Sequence, residues 1–230
     1  MKKSFILLSA LFLVYCMASC DFQEIEVIED LEAIEIAENP PFPEMFDETD
    51  PNARVKMDNS GVFDFETGQP IPQAFSKLRR HDNGIAATIH TSLLEAKAVY
   101  TVWVVIFENP ELCSDNMCGE DDIFNSEGLI VNGDGSFGTP GVNVTVMWGT
   151  GKIASAAGIG TFNLWAEVNN SPGEVLFGPG LMDAMGSEIH FVIRNHGQAI
   201  PGLLQEQLTS FEGGCEVNGC TDEQFSIHKP

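Results

Sequence analysis

Tyr100-Thr-Val-Trp-Val-Val-Ile-Phe107 is the stretch that decides the fold. Its residues are β-branched or aromatic almost without interruption, which suits a pleated strand and disfavours a helix. A strand with one wet face alternates polar and apolar residues, and this one does not, so it belongs in a sheet centre covered on both sides.

Outward from it, short apolar stretches are separated by glycine, asparagine and aspartate, as strands are by turns. Residues 74–81 and 85–93 read as a hairpin across Asp82-Asn83-Gly84, with Asn-Gly supplying the positive φ angles of a tight turn. In its second strand Ile85, Ala87 and Ile89 share one face, while Ala86, Thr88 and His90 share the other. Further strands are expected at 143–148, 160–168, 188–195 and 224–228, and short helices at 93–98 and 201–208. No long stretch has helical period. The expected fold is all-β, a Greek-key or jelly-roll-like β-sandwich, with a closed β-barrel as the alternative.

The chain opens with Met-Lys-Lys, an apolar stretch from Ser4 to Cys16, and Met17-Ala18-Ser19-Cys20. That order is a charged region, a hydrophobic region and a small-residue cleavage site, so residues 1–19 read as a signal peptide. The apolar stretch is short for a membrane span, which needs ~20 residues. Residues 20–52 read as an acidic tether: from Asp21 to Asn52 there are twelve Asp or Glu and no Lys or Arg. Residues 53–230 then form a single β-rich domain whose C-terminal segment carries two of the cysteines.

The whole chain has 11 Lys and Arg against 34 Asp and Glu, a net charge of −23. Removing Lys2 and Lys3 with the leader takes it to about −25. Such a chain is a poor partner for nucleic acid, which needs a basic face. Export places the remaining cysteines in an oxidising compartment, where the two C-x4-C pairs, Cys113/Cys118 and Cys215/Cys220, are expected as disulfides. Local pairing is favoured because each pair encloses its own turn residues, Ser114-Asp115-Asn116 and Asn218-Gly219. Crossed pairing and a zinc site are the alternatives.

No nucleophile elbow, zincin helix or phosphate-cradling loop is present. The densest group of chemically capable side chains is Glu188, His190, Arg194 and His196, which share one face of a strand, with His90 a further candidate. On a straight strand His190 and His196 stand roughly 20 Å apart, too far to bind one ion, so the plain expectation is a polar sheet face with an Arg–carboxylate pair. Asp121 and Asp122 after Glu120, and Asn132 and Asp134 within Asn132-Gly-Asp-Gly-Ser136, are weak calcium candidates, because the glutamate that would complete an EF-hand-like loop is replaced by Asn143. Trp148 and Trp165 are candidates for a sugar-binding platform, with core packing as the plainer duty.

The cysteine after Met17-Ala18-Ser19 resembles the lipobox of bacterial lipoproteins, although Met17 replaces the commonest residue, leucine. The resemblance implies diacylglycerol and acyl chains on Cys20, and so a membrane-anchored cell-envelope protein, facing periplasm or cell surface, with the outer membrane favoured over the inner. The run from Tyr100 through Cys118, with Arg-Asn-His-Gly at 194–197, Ala-Ile-Pro-Gly at 199–202, Glu206-Gln207 and Gly213-Gly214-Cys215, is similar to a group of exported bacterial proteins and implies no chemistry. The functional expectation is therefore a lipid-tethered, non-enzymatic binding or structural module without a cofactor, partnered by a protein or glycan of the envelope. The alternative is an envelope hydrolase or metal-dependent enzyme using His and carboxylate residues, with calcium the first metal to consider.

Overall fold

In a computed structural model, the described part of the chain is residues 54–230. The signal peptide, Cys20 and the tether lie outside the described residues. Twelve strands follow one another: β1 (Val55–Ser60), β2 (Phe63–Asp64), β3 (Phe75–His81), β4 (Gly84–Thr91), β5 (Ala98–Phe107), β6 (Phe124–Asn125), β7 (Gly128–Leu129), β8 (Val144–Ile153), β9 (Gly160–Glu167), β10 (Val175–Phe177), β11 (Glu188–Gln198) and β12 (Thr221–His228). Two short helices, α1 (Leu204–Thr209) and α2 (Cys215–Asn218), lie between the last two strands.

The strands form a four-stranded sheet, β1-β3-β4-β9, and a six-stranded sheet, β10-β8-β5-β11-β12-β2, with β6-β7 a small ribbon. Every pairing is antiparallel. Both large sheets keep open edges, so the molecule is an all-β sandwich and not a closed barrel.

Period-two alternation builds the core. Leu78, Ile85, Ala87, Ile89, Phe162 and Leu164 point inward from the four-stranded sheet and meet Tyr100, Val102, Val104, Ile106, Phe191 and Ile193 from the six-stranded one. The alternate residues of β5, Trp103, Val105 and Phe107, are buried too, in a second cluster on the outer face of the six-stranded sheet. Two irregular segments cover that face. The first, residues 108–143, brings Cys113, Cys118, Ile123 and Val142; the second, between β11 and β12, brings Phe211. Both carry local disulfides, Cys113–Cys118 and Cys215–Cys220, as the spacing predicts. The unbroken apolar run of β5 is thus explained: all ten of its residues are buried.

Among the described residues, the other face of the four-stranded sheet has no such cover. Along β9 burial alternates, with Phe162, Leu164 and Ala166 buried and Thr161, Asn163, Trp165 and Glu167 half-buried.

Two sequence expectations need correction. The β3–β4 turn forms, with His81 paired to Gly84, but neither Asn83 nor Gly84 has positive φ. Asp82 is instead held by Arg54, whose Nε lies 2.7 Å from Oδ1, and the Asn83 amide donates to His81 Nδ1 at 3.3 Å. Gly84 is required for space: a Cβ there would collide with the carbonyl oxygen of Ala166 on β9. The helix expected at 93–98 is absent, because Leu93 and Lys97 take φ of 62° and the segment closes as turns on Gly158 and Ser155. At 201–208 a helix does form, but it is short and begins at Leu204.

Candidate functional site

The group Glu188, His190, Arg194, His196 and His90 does not form one site. His90 lies on β4 of the four-stranded sheet, whereas the other four lie on β11 of the six-stranded sheet. On β11 the group separates further into structural contacts. His190 Nε2 meets Glu188 Oε1 at 2.7 Å. Arg194 Nη1 pairs with Asp222 at 2.7 Å, and its guanidinium lies 3.8 Å from the centre of the Phe211 ring, clamping the cover segment to the sheet.

His196 is fully buried. Its Nδ1 faces the Gly213 carbonyl at 2.8 Å, which only accepts, so Nδ1 carries the proton. Nε2 therefore accepts from Thr101 Oγ1 at 2.8 Å, and Thr101 in turn accepts from Trp103 Nε1 at 2.9 Å. Burial pushes the His196 pKa down and keeps the ring neutral. The sulfurs of Cys215 and Cys220 lie close to this ring, but they are joined to each other. This ring is a clasp on the Cys215–Cys220 loop. The Arg–carboxylate pair of the plain reading is present, and the convergence that a histidine-based hydrolase or metal centre requires is not formed among the described residues.

The calcium candidates are used as turn supports. Asp122 is fully buried and accepts from the Ser114 amide (2.8 Å), the Gly119 amide (3.2 Å) and Thr139 Oγ1 (2.9 Å). Asp121 accepts from Ser114 Oγ at 2.6 Å. Asn132 Nδ2 donates to Ser136 Oγ and the Gly138 carbonyl, both at 3.0 Å. Asp134 accepts from the Ser136 amide and hydroxyl at 3.0 and 2.7 Å, which lowers its pKa.

Two surfaces remain. One is an open cleft of about 610 Å³ beside β2 and β12, lined by Asp64, Glu66, Glu95, Asp222, Glu223 and the apolar Leu93. Glu95 and Glu223 approach one another closely, since Asn195 Nδ2 reaches both, at 3.4 and 2.7 Å. Yet each carboxylate oxygen has a neutral donor: Gln198 holds the other oxygen of Glu95 at 2.6 Å, and Tyr100 donates to the other oxygen of Glu223 at 2.9 Å. Tyr100 also accepts from the Glu95 amide, and burial raises its pKa. This is a braced polar network.

The other is the uncovered face of the four-stranded sheet. Cross-strand register sets its side chains in rows, and residues directly opposite one another share a face. One row is Met57, Arg79, Ala86, Trp165; the next is Asn59, Lys77, Thr88, Asn163; the third is Phe75, His90, Thr161. The Phe75 and His90 rings stack at 5.4 Å, and Lys77 Nζ stands 5.0 Å from the Phe75 ring centre. Thr88 Oγ1 donates to Asn163 Oδ1 at 2.9 Å, and His90 Nδ1 bonds Thr161 Oγ1 at 2.9 Å. Of the two tryptophans proposed as platforms, Trp148 is anchored in the cover, its Nε1 donating to the Leu208 carbonyl at 2.9 Å, while Trp165 stands on this open face.

The sequence pointed to Trp165 and His90 but passed over Phe75, Lys77, Arg79 and Asn163. The alternation of Phe75, Lys77 and Arg79 with buried Ser76, Leu78 and Arg80 was the available signal. Fold and surfaces together define a disulfide-clipped β-sandwich with one covered and one open sheet face. Compared with protein-family models, curated proteins and solved structures, the chain has no match.

Proposed function

We propose that this chain is a non-enzymatic binding module of the bacterial cell envelope, tethered by lipid on Cys20, that meets its partner through the open face of the four-stranded sheet. The observation that carries the reading is the asymmetry of the two outer faces. The outer face of the six-stranded sheet is covered by two disulfide-clipped segments, whereas the opposite face exposes Met57 and Phe75 at 58% and 37% beside Lys77 and the half-buried Trp165. Exposed apolar and aromatic groups among polar ones mark interaction surfaces. The histidines that a hydrolytic reading would use are engaged in structural hydrogen bonds.

The test is co-sedimentation of the membrane-extracted protein with insoluble polysaccharide prepared from cell envelopes. Wild type is expected in the pellet. The variant Asn163→Glu, which puts bulk and charge at the centre of the face, is expected to fall by about fivefold in bound fraction, about 1 kcal/mol, while remaining folded at the assay temperature. Equal binding by the variant, or no binding by the wild type, contradicts the reading.

A further inference from the structure

We infer that the Cys215–Cys220 disulfide is a thiol–disulfide exchange site, opened by a dithiol of a partner protein, whereas Cys113–Cys118 is a permanent staple; the inference is independent of the open-face reading above. Both bridges join cysteines five residues apart, so loop length does not distinguish them. Access does. Cys113 and Cys118 are buried, at 7% and 6% exposure, while Cys215 and Cys220 are both half-buried. The four residues between the latter pair, Glu216, Val217, Asn218 and Gly219, are all exposed. Exchange needs an attacking thiolate to reach a sulfur, and the second bridge is the one within its reach.

The neighbouring groups separate the two bridges in the same direction. The sulfurs of Cys113 and Cys118 lie within 4.8 Å of a carboxylate oxygen of the fully buried Asp122, and a carboxylate disfavours a thiolate beside it. Cys220 Sγ instead lies 3.5 Å from His196 Nδ1, the nitrogen that carries the ring proton. A donor at that place stabilises a thiolate, and a stabilised sulfur is the better leaving group. Cys215 Sγ lies 3.5 Å from the Phe211 carbonyl oxygen, an acceptor for the thiol that forms there. The loop also has anchors that do not depend on the bridge: Asn218 Nδ2 donates to the carbonyls of His196 and Gln198 at 2.9 and 2.7 Å. Opening the bridge therefore leaves the loop seated on β11.

These contacts set the direction of exchange. The donor's first thiolate attacks Cys215 Sγ; the Cys215–Cys220 bond breaks, a mixed disulfide forms on Cys215, and Cys220 leaves as a thiolate hydrogen-bonded by His196 Nδ1–H, which keeps its proton. The donor's second thiolate then attacks the donor sulfur of the mixed disulfide and releases Cys215. Two electrons pass to the bridge, the dithiol becomes a disulfide, and its two protons end on Cys215 and Cys220 through water.

The test treats the membrane-extracted full-length protein, under native conditions, with dithiothreitol or with cysteamine, stops exchange with a fast maleimide, and maps the modified cysteines by peptide mass. With dithiothreitol, maleimide should appear on Cys215 and Cys220 at least about tenfold faster than on Cys113 and Cys118, in protein that keeps a cooperative melting transition. With cysteamine, the mixed disulfide should form on Cys215 and the maleimide on Cys220. In His196→Gln that preference should fall toward parity; the wild-type map decides the proposal whether or not this variant folds. Equal rates at the two bridges, or opening of Cys215–Cys220 only when the melting transition is lost, overturn the exchange site. Cysteamine on Cys220, with maleimide on Cys215, overturns the role of His196 and the direction of attack. None of these results bears on sedimentation with envelope polysaccharide, so the two readings fail separately.

Discussion

Arg80→Met is expected to lower unfolding free energy by about 3–5 kcal/mol, the usual result of removing one side of a buried ionic arrangement. Arg80 is fully buried on β3, one residue beyond the half-buried Arg79. Its Nη1 donates to the carbonyls of Ala184 (2.9 Å) and Ser187 (2.8 Å), and its Nη2 to that of His228 (3.0 Å). It therefore ties the four-stranded sheet to the last strand and to the turn before β11. Burial lowers its pKa, and the field of Asp58, Asp183 and Glu188 opposes that shift in part and favours the charged form. Methionine fills similar volume but leaves three carbonyls without donors and those carboxylates without their cation. At ~2–4 °C per kcal/mol for a domain of this size, the melting temperature should drop by roughly 10 °C. Arg80→Lys should give an intermediate loss, since an ammonium cannot reproduce the planar fork. A drop under about 1 kcal/mol for Arg80→Met would refute the clasp.

The second large effect is in pH. His196 and His228 are both fully buried and both have their pKa pushed down by burial. His228 Nδ1 donates to Asp58 at 2.9 Å and Nε2 accepts from Ser76 Oγ at 2.8 Å, a neutral ring with both nitrogens used. In the unfolded chain each histidine takes up a proton near pH 6.5, whereas in the folded protein it resists until a lower pH. Their stabilising contribution is therefore complete above pH 6.5 and is lost as pH falls toward each lowered value. The loss is at most about 1.4 kcal/mol per pH unit for each ring. Glu108 has the opposite sign. Its buried carboxylate, accepting from the Met182 and Asp183 amides and Ser187 Oγ, has its pKa raised by burial, so it costs stability as pH rises from 4.5 through that raised value. The two rings act in the same direction, and the Glu108 contribution opposes them where its window overlaps theirs. Urea midpoints should thus fall between pH 7 and pH 5, and His228→Gln should lose about half of that slope. A flat profile across this interval would contradict the assignment of both rings as neutral.

Local patterns made most of the sandwich readable, and the non-local ones stayed hidden. Alternation in residues 74–93 and the continuous apolar run of 100–107 gave strands where β3, β4 and β5 stand, because these segments bury their side chains in any sheet that forms. β1 was missed: Val-Lys-Met-Asp-Asn-Ser has only two apolar residues and is held by its pairing with β3 at the sheet edge. The run of β5 announced cover on both sides, but the covering segments have no periodicity, and their hold depends on Arg194 meeting Phe211 and His196 meeting Gly213. The apparent helix at 93–98 lost to tertiary demand, since Glu95 and Tyr100 must reach Glu223 and Asn195. For the open face, each strand's alternation was legible, but which strands lie side by side was not. Only the β4–β9 register sets Trp165 opposite Ala86 and Asn163 opposite Thr88.

The most direct test of the account is hydroxyl-radical footprinting of the membrane-extracted protein with and without envelope polysaccharide. Oxidation of Met57, Phe75, His90 and Trp165 is expected to fall when the polysaccharide is present, with Met117 and Leu93, on the cover and in the acidic cleft, unchanged. Protection of Leu93 or Met117 with the four open-face residues still fully reactive would contradict the central claim and move the binding surface elsewhere on the molecule.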